Sequence, residues 1–154
     1  MDEIVVRSRV FLSLDELGSQ PLVVQTDGYL EGALVLMINR QPIISELEWD
    51  ILDQLWAYIV DGLEQLDQTQ ESEWSTYFPD QPIELGISRK GRNGEVVLKY
   101  DQVERRGRCE FAALRSALLT EAERFFRTLA PLAAVDGGLY RRYAEKAAAM
   151  LNQV

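Results

Sequence analysis

The sequence predicts an α+β fold: an antiparallel or mixed sheet of four to five strands, with about three helices packed mainly on one face. Three observations carry that prediction. Segments alternating apolar and polar residues open the chain and recur between Pro82 and Val103, which is the period of half-buried strands. Three other segments repeat apolar residues every three to four positions, the period of amphipathic helices. The resulting order is strand, strand, helix, hairpin, helix, helix. It lacks the strict strand–helix alternation of nucleotide-binding α/β folds.

The elements follow in order. From Ile4 to Leu12, the residues Ile4, Val6, Val10 and Leu12 alternate with Arg7 and Arg9, as in a strand with one buried face. Leu14 to Asp27, with Gly18, Ser19, Pro21 and then Gly28, reads as turn and loop, with room for a short strand at Val23-Val24. Tyr29 to Asn39 is almost wholly apolar and bounded by turn residues, the signature of a central strand buried on both faces. Gly32 within it marks a bulge or a close backbone approach.

Ser45-Glu46-Leu47-Glu48 fits a capping box, so a long helix is expected to start at Ser45 and end near Asp67. Its apolar arc is Leu47, Ile51, Leu52, Leu55, Trp56, Tyr58, Ile59, Leu63 and Leu66. Its other face carries Glu46, Asp50, Asp53, Asp61 and Glu64. Gln68 to Asp80 is polar apart from Trp74, Tyr77 and Phe78, and reads as a long connecting loop. Pro82 to Ser88 and Glu95 to Val103 form a hairpin, and Asn93-Gly94 is the turn signal between them. Phe111, Leu114, Leu118, Ala122, Phe125 and Leu129 mark a second helix, which Pro131 ends. Leu139, Tyr143, Ala147, Met150 and Leu151 mark a third, after the break at Asp136-Gly137-Gly138. No repeat, low-complexity tract or interdomain linker divides the 154 residues, so one domain spanning 1–154 is expected.

Composition narrows the chemistry. There is no histidine, which removes Ser-His-Asp and Cys-His nucleophile pairs and histidine-rich metal sites. A single cysteine, Cys109, rules out a tetra-cysteine zinc site and an internal disulfide. The acidic opening Met1-Asp2-Glu3 lacks the basic start of a secretory signal. The apolar run Ala33–Ile38 is too short to span a bilayer, so a cytoplasmic, membrane-independent protein is expected. Phosphate-loop and dinucleotide motifs are missing. The net charge of −9 opposes nucleic-acid binding. No cofactor or metal is expected.

Two catalytic candidates remain. Cys109 stands among Arg105, Arg106 and Arg108 at the expected start of a helix, a setting that lowers a thiol pKa. A small half-buried junction residue is the alternative. Carboxylates tuned by burial are the second candidate, but Glu46, Asp50 and Asp53 on one exposed helix face do not converge in a cleft. Lesser possibilities are an anion contact at the hairpin tip (Arg89, Lys90, Arg92), base stacking at Tyr140-Arg141-Arg142-Tyr143, and a homo-oligomer contact at Phe125, Phe126 or Met150.

Charge placement favours recognition over catalysis. No lysine or arginine lies between Arg40 and Arg89, where 11 acids stand. From Arg89 onward, 13 bases face 8 acids. Such a polar molecule can orient a charged partner. The expected docking face for a basic protein is Glu46, Asp50, Asp53, Asp61 and Glu64, with Trp49 and Trp74 as aromatic anchors.

The run Gly32-Ala33-Leu34-Val35-Leu36-Met37-Ile38-Asn39, the helix carrying Leu55-Trp56-Ala57-Tyr58, the segment Tyr77-Phe78-Pro79-Asp80-Gln81-Pro82-Ile83-Glu84-Leu85 and the later Phe125-Phe126 resemble small bacterial proteins of the toxin-immunity type. The resemblance covers about Gly32 to Leu129 and is one of arrangement. It implies a small, acidic, cytoplasmic, non-catalytic protein that blocks a secreted toxin by covering its active face. It carries no interface residues with it.

Overall fold

A computed structural model describes residues 2–11, 30–133 and 137–153. The fold is α+β. Among the described residues, eight strands form two antiparallel sheets of four strands each, joined by three helices. The expected loop at Leu14–Asp27 and the short strand at Val23-Val24 lie outside the described residues.

The first sheet comprises β1 (Ile4–Val10), β2 (Glu31–Ile38), β3 (Gln41–Ile44) and β4 (Asp50–Ile51). Strand β2 lies at its centre, pairing with β1, β3 and β4. Gly32 is a site of close approach: a β-carbon there would collide with the Arg9 carbonyl of β1 and with Leu52. The second sheet is a meander of β5 (Glu71–Tyr77), β6 (Glu84–Lys90), β7 (Asn93–Tyr100) and β8 (Val103–Glu110), paired in that order. The sheets meet where Gly107 of β8 lies against Ile38 and Ile43.

Helix α1 (Leu52–Leu66) packs on β5 and β2, and α2 (Phe111–Leu129) packs on β1, β7 and β8. Helix α3 (Gly137–Leu151) lies mainly along α2 and also touches α1. One core joins them, with Leu34, Leu36, Leu55, Trp56, Leu63, Leu85, Val96, Leu98, Leu118 and Phe126 nearly inaccessible. Among the described residues no helix covers the outer face of the second sheet: along β5 to β8, burial alternates between core and surface.

Three expectations are corrected. The long helix from Ser45 does not form as one element. The Ser45 capping box exists, but it closes a single 3-10 turn, Glu46–Glu48. The chain then turns extended at Trp49, pairs as β4 and starts α1 at Leu52. The reason is tertiary: Glu48 and Asp50 are drawn inward to hydrogen-bond donors on distant strands and turns. Leu47, assigned to the apolar arc, is therefore 78% exposed. The expected loop at Gln68–Asp80 contains the seven-residue strand β5. Its inward residues are Ser72, Trp74 and Thr76, so alternation left almost no hydrophobic signal. The hairpin turn is Gly91-Arg92, because Lys90 pairs with Asn93. Gly91 supplies the positive φ of 60°.

Candidate functional site

The 11 acids between Arg40 and Arg89 sort into two sets. The larger set is engaged inside the molecule. Glu48 is fully buried and accepts from Ser45 N–H, the Ser45 hydroxyl, the Tyr100 hydroxyl at 2.9 Å and the Arg105 guanidinium. Burial pushes its carboxyl up. The hydrogen bonds and the Arg105 charge outweigh that and hold it below the ordinary glutamate value. Asp50, 1% exposed, accepts from the backbone N–H groups of Ile51 (2.7 Å), Asp80 (2.9 Å) and Gln81 (2.8 Å). Asp53, 3% exposed, accepts from Tyr140 Oη at 2.7 Å and from the N–H groups of Gln54 and Leu30. Burial dominates there and raises its pKa.

Apart from Glu46, the rest of this set faces the C-terminal half. Asp61 accepts from the Tyr143 hydroxyl and Lys146 Nζ, and Lys146 also pairs with Glu64 at 3.1 Å. Asp67 takes a bidentate contact from Arg115, and exposed Glu46 pairs with Arg9. Much of the charge asymmetry is thus an internal fit between α1 with its flanks and β8, α2 and α3.

The expected acidic helix face is overturned on these grounds. Glu46, Asp50 and Asp53 do not share a helix, and Asp50 and Asp53 face inward. Asp61 and Glu64 reach solvent but share Lys146. Trp74 is partly buried, its ring against Gly62 of α1. Trp49 is 42% exposed. It borders a recess of about 190 Å³ with Glu31, Asp50, Ile51 and Asp80.

The second set is Glu71, Glu73, Asp80 and Glu84, whose carboxylates have no hydrogen-bond or ion-pair partner among the described residues. Sequence reasoning missed them because it read their segment as a loop. Glu71 and Glu73 lie on the outward face of β5 with Ser75 and Tyr77, which is 63% exposed. Glu84 stands beside Tyr77 in register on β6, and Asp80 follows in the turn. Lys90, in register with Glu71, is the basic neighbour on β6. Gly86, between Ser75 and Val97 in register, leaves a shallow trough of about 470 Å³ across this face. Further across the sheet, Arg106 and Arg108 bind Glu95, and Arg106 and Lys99 bind Glu104. Of the acids between Arg40 and Arg89, those left unpaired among the described residues therefore lie on β5, at the start of β6 and in the turn between them. Strand order could have revealed it, since only a free edge strand tolerates so polar a composition.

The other candidates fare differently. Cys109 is the penultimate residue of β8, at the strand–helix junction just before the Glu110 N-cap of α2, and is buried. Burial, with Asp2 and Glu110 adding negative charge, pushes its thiol up to about 11. The arginines flanking it, Arg106 and Arg108, lie on the opposite face of β8 and bind carboxylates. Its alkylation by iodoacetamide should therefore be slow at neutral pH and rise only toward pH 11. A rate that levels off below pH 9 would contradict the burial. Phe125, Phe126 and Met150 are 3%, 1% and 4% exposed, so they belong to the core and cannot form the expected oligomer contact. Tyr140 and Tyr143 stack around Phe126 and bind Asp53 and Asp61, leaving no exposed ring pair for bases. Arg89 lies over the Phe111 ring at 4.7 Å.

Among the described residues no group of carboxylates and cysteine is arranged to hold a metal, and no helix is long and apolar enough to cross a membrane. No family model matches the sequence, and no curated protein or solved structure matches it.

Proposed function

We propose that this is a non-catalytic binding protein that docks a basic protein partner, in the manner of an immunity protein blocking a secreted toxin in the cytoplasm. The observation that carries the reading is the sorting of the acids. The fold engages most of the acids between Arg40 and Arg89 internally and leaves Glu71, Glu73, Asp80 and Glu84 without a partner among the described residues, on or beside a strand with a 63% exposed tyrosine. Unpaired surface charge of one sign steers an oppositely charged partner, and an exposed tyrosine is a common anchor at such interfaces. The docking surface is thus the outer face of β5 in place of the helix face that the sequence pattern indicated.

The test is anisotropy with a labelled alternating lysine–threonine octapeptide, followed by the same variants against the toxin encoded beside the gene, if one is found there. Glu71→Lys/Glu73→Lys should weaken peptide binding by at least about tenfold at low salt, and added salt should erase the difference. Glu123→Lys/Glu145→Lys, with the same change in net charge on other elements, should change it by less than about twofold. Equal losses in the two double variants would reduce the effect to net charge and sink the reading.

A further inference from the structure

The free edge of β5 has a geometry that side-chain charge alone does not use. Strand β5 ends the second sheet, and among the described residues its main chain pairs only with β6. The Gly91 N–H donates to the Gln70 carbonyl and the Phe78 N–H to the Ile83 carbonyl. Gln70 and Phe78 therefore direct main-chain groups at β6. The register between them runs without a bulge, from Glu71 opposite Lys90 to Tyr77 opposite Glu84. In an antiparallel ladder the direction alternates. Ser72, Trp74 and Thr76 thus also bond toward β6, and Glu71, Glu73, Ser75 and Tyr77 direct their N–H and C=O groups to the open edge. The Glu71 carbonyl accepts from the Thr69 hydroxyl and the Tyr77 carbonyl from the Thr76 hydroxyl. Among the described residues, nothing bonds to either main-chain group of Glu73 or of Ser75 on that side.

We infer that an extended, basic segment of the partner adds to this edge as a fifth strand of the second sheet. The inference rests on the docking reading above and specifies how it is accomplished. The residues that offer open backbone groups are the same ones whose side chains face out. A strand laid along Glu73 and Ser75 would gain main-chain bonds and place its own outward side chains beside Glu71, Glu73 and Tyr77. Lysine or arginine at alternate positions of the added strand matches those carboxylates. A second copy of this chain fits poorly, because joining two β5 edges puts Glu71 and Glu73 of both copies on one face. Phosphate-rich polymers are repelled by the same charges.

Backbone amide exchange with the lysine–threonine octapeptide tests this. In the free protein the Glu73 and Ser75 amides should exchange quickly and the Trp74 and Thr76 amides slowly. Saturating peptide should slow Glu73 and Ser75 by at least about tenfold and leave Trp74 unchanged. Two N-methylated peptides, one blocked at the lysines and one at the threonines, separate the two edges of the added strand. Only one should lose affinity, by at least about tenfold. If binding depends on Glu71 and Glu73, yet the Glu73 and Ser75 amides stay fast and both methylated peptides bind normally, strand addition is wrong and the docking reading survives. If Glu71→Lys/Glu73→Lys, folded by its Trp74 protection, binds as tightly as the parent, both fall.

Discussion

Arg105→Ala is expected to destabilise the fold by about 3–5 kcal/mol, the cost of leaving a buried carboxylate without its cation. Glu48 is fully buried, and among the described residues Arg105 is its only charged partner. The pair also ties together parts of the molecule that no strand ladder joins. Glu48 lies between β3 and β4, Arg105 on β8 also donates to the Ile43 carbonyl, and Tyr100 ends β7. A total stability of about 5–15 kcal/mol leaves little reserve after such a loss. Glu48→Gln removes the charge but keeps an acceptor, and should cost less, about 1–3 kcal/mol.

The pH dependence gives this prediction a sign. In the parent, the Glu48 pKa is depressed by folding. Its contribution is complete above the ordinary glutamate value and is lost as pH falls through the lower folded value. In Arg105→Ala, burial acts unopposed by the guanidinium and the pKa moves upward. The deficit of that variant should therefore shrink on acidification, as Glu48 takes up a proton and ceases to be a buried charge. Urea melts at neutral pH and near pH 4 would show it. A deficit that stays constant or grows toward low pH would mean that Arg105 acts through packing alone.

The same two residues explain what could be read from the sequence. Leu55, Trp56, Leu63 and Leu66 were assigned to a buried helix face from their spacing, and they are buried. The second and third helices and the strand β2 (Glu31–Ile38) were legible for the same reason: local periodicity reports which side is wet. The break at Trp49 was not legible, because nothing local interrupts the pattern from Ser45 to Asp67. The helix gives way to donors 30 to 57 residues downstream, on the turn after β5 and on β8. Acid residues were assigned to solvent by type, and Asp50 and Asp53 were misplaced by that rule. A buried carboxylate is stable when its hydrogen bonds are complete, which depends on tertiary neighbours. Strand β5 escaped for the opposite reason. Its inward face has one large apolar residue, Trp74, and an edge strand with one such anchor has no periodicity to detect.

Asp50 supports the second large prediction. Asp50→Ala should cost about 2–4 kcal/mol, since it orphans the part-buried Asp80 and Gln81 amides, and a hydrogen bond to a charged acceptor contributes about 1.5–3 kcal/mol. The two bonds end on the two oxygens of one carboxylate, so their costs do not simply add. Asp50→Asn retains a single oxygen acceptor and should fall between alanine and the parent. The loss is also local in a way that exchange can read. With Asp50 gone, the Asp80 and Gln81 amides should exchange faster than any in β6, and the contact of the Gln81 side chain with the Trp49 carbonyl should weaken with them. Because Trp49 is half exposed, its emission should shift toward that of free indole while buried Trp56 is unaffected. Peptide binding separates the two roles of the acids. If Glu71 and Glu73 dock the partner, Asp50→Ala should weaken octapeptide binding by less than about threefold despite its stability cost. A loss as large as that of Glu71→Lys/Glu73→Lys would move the docking centre from the edge of β5 to the Trp49–Asp80 recess.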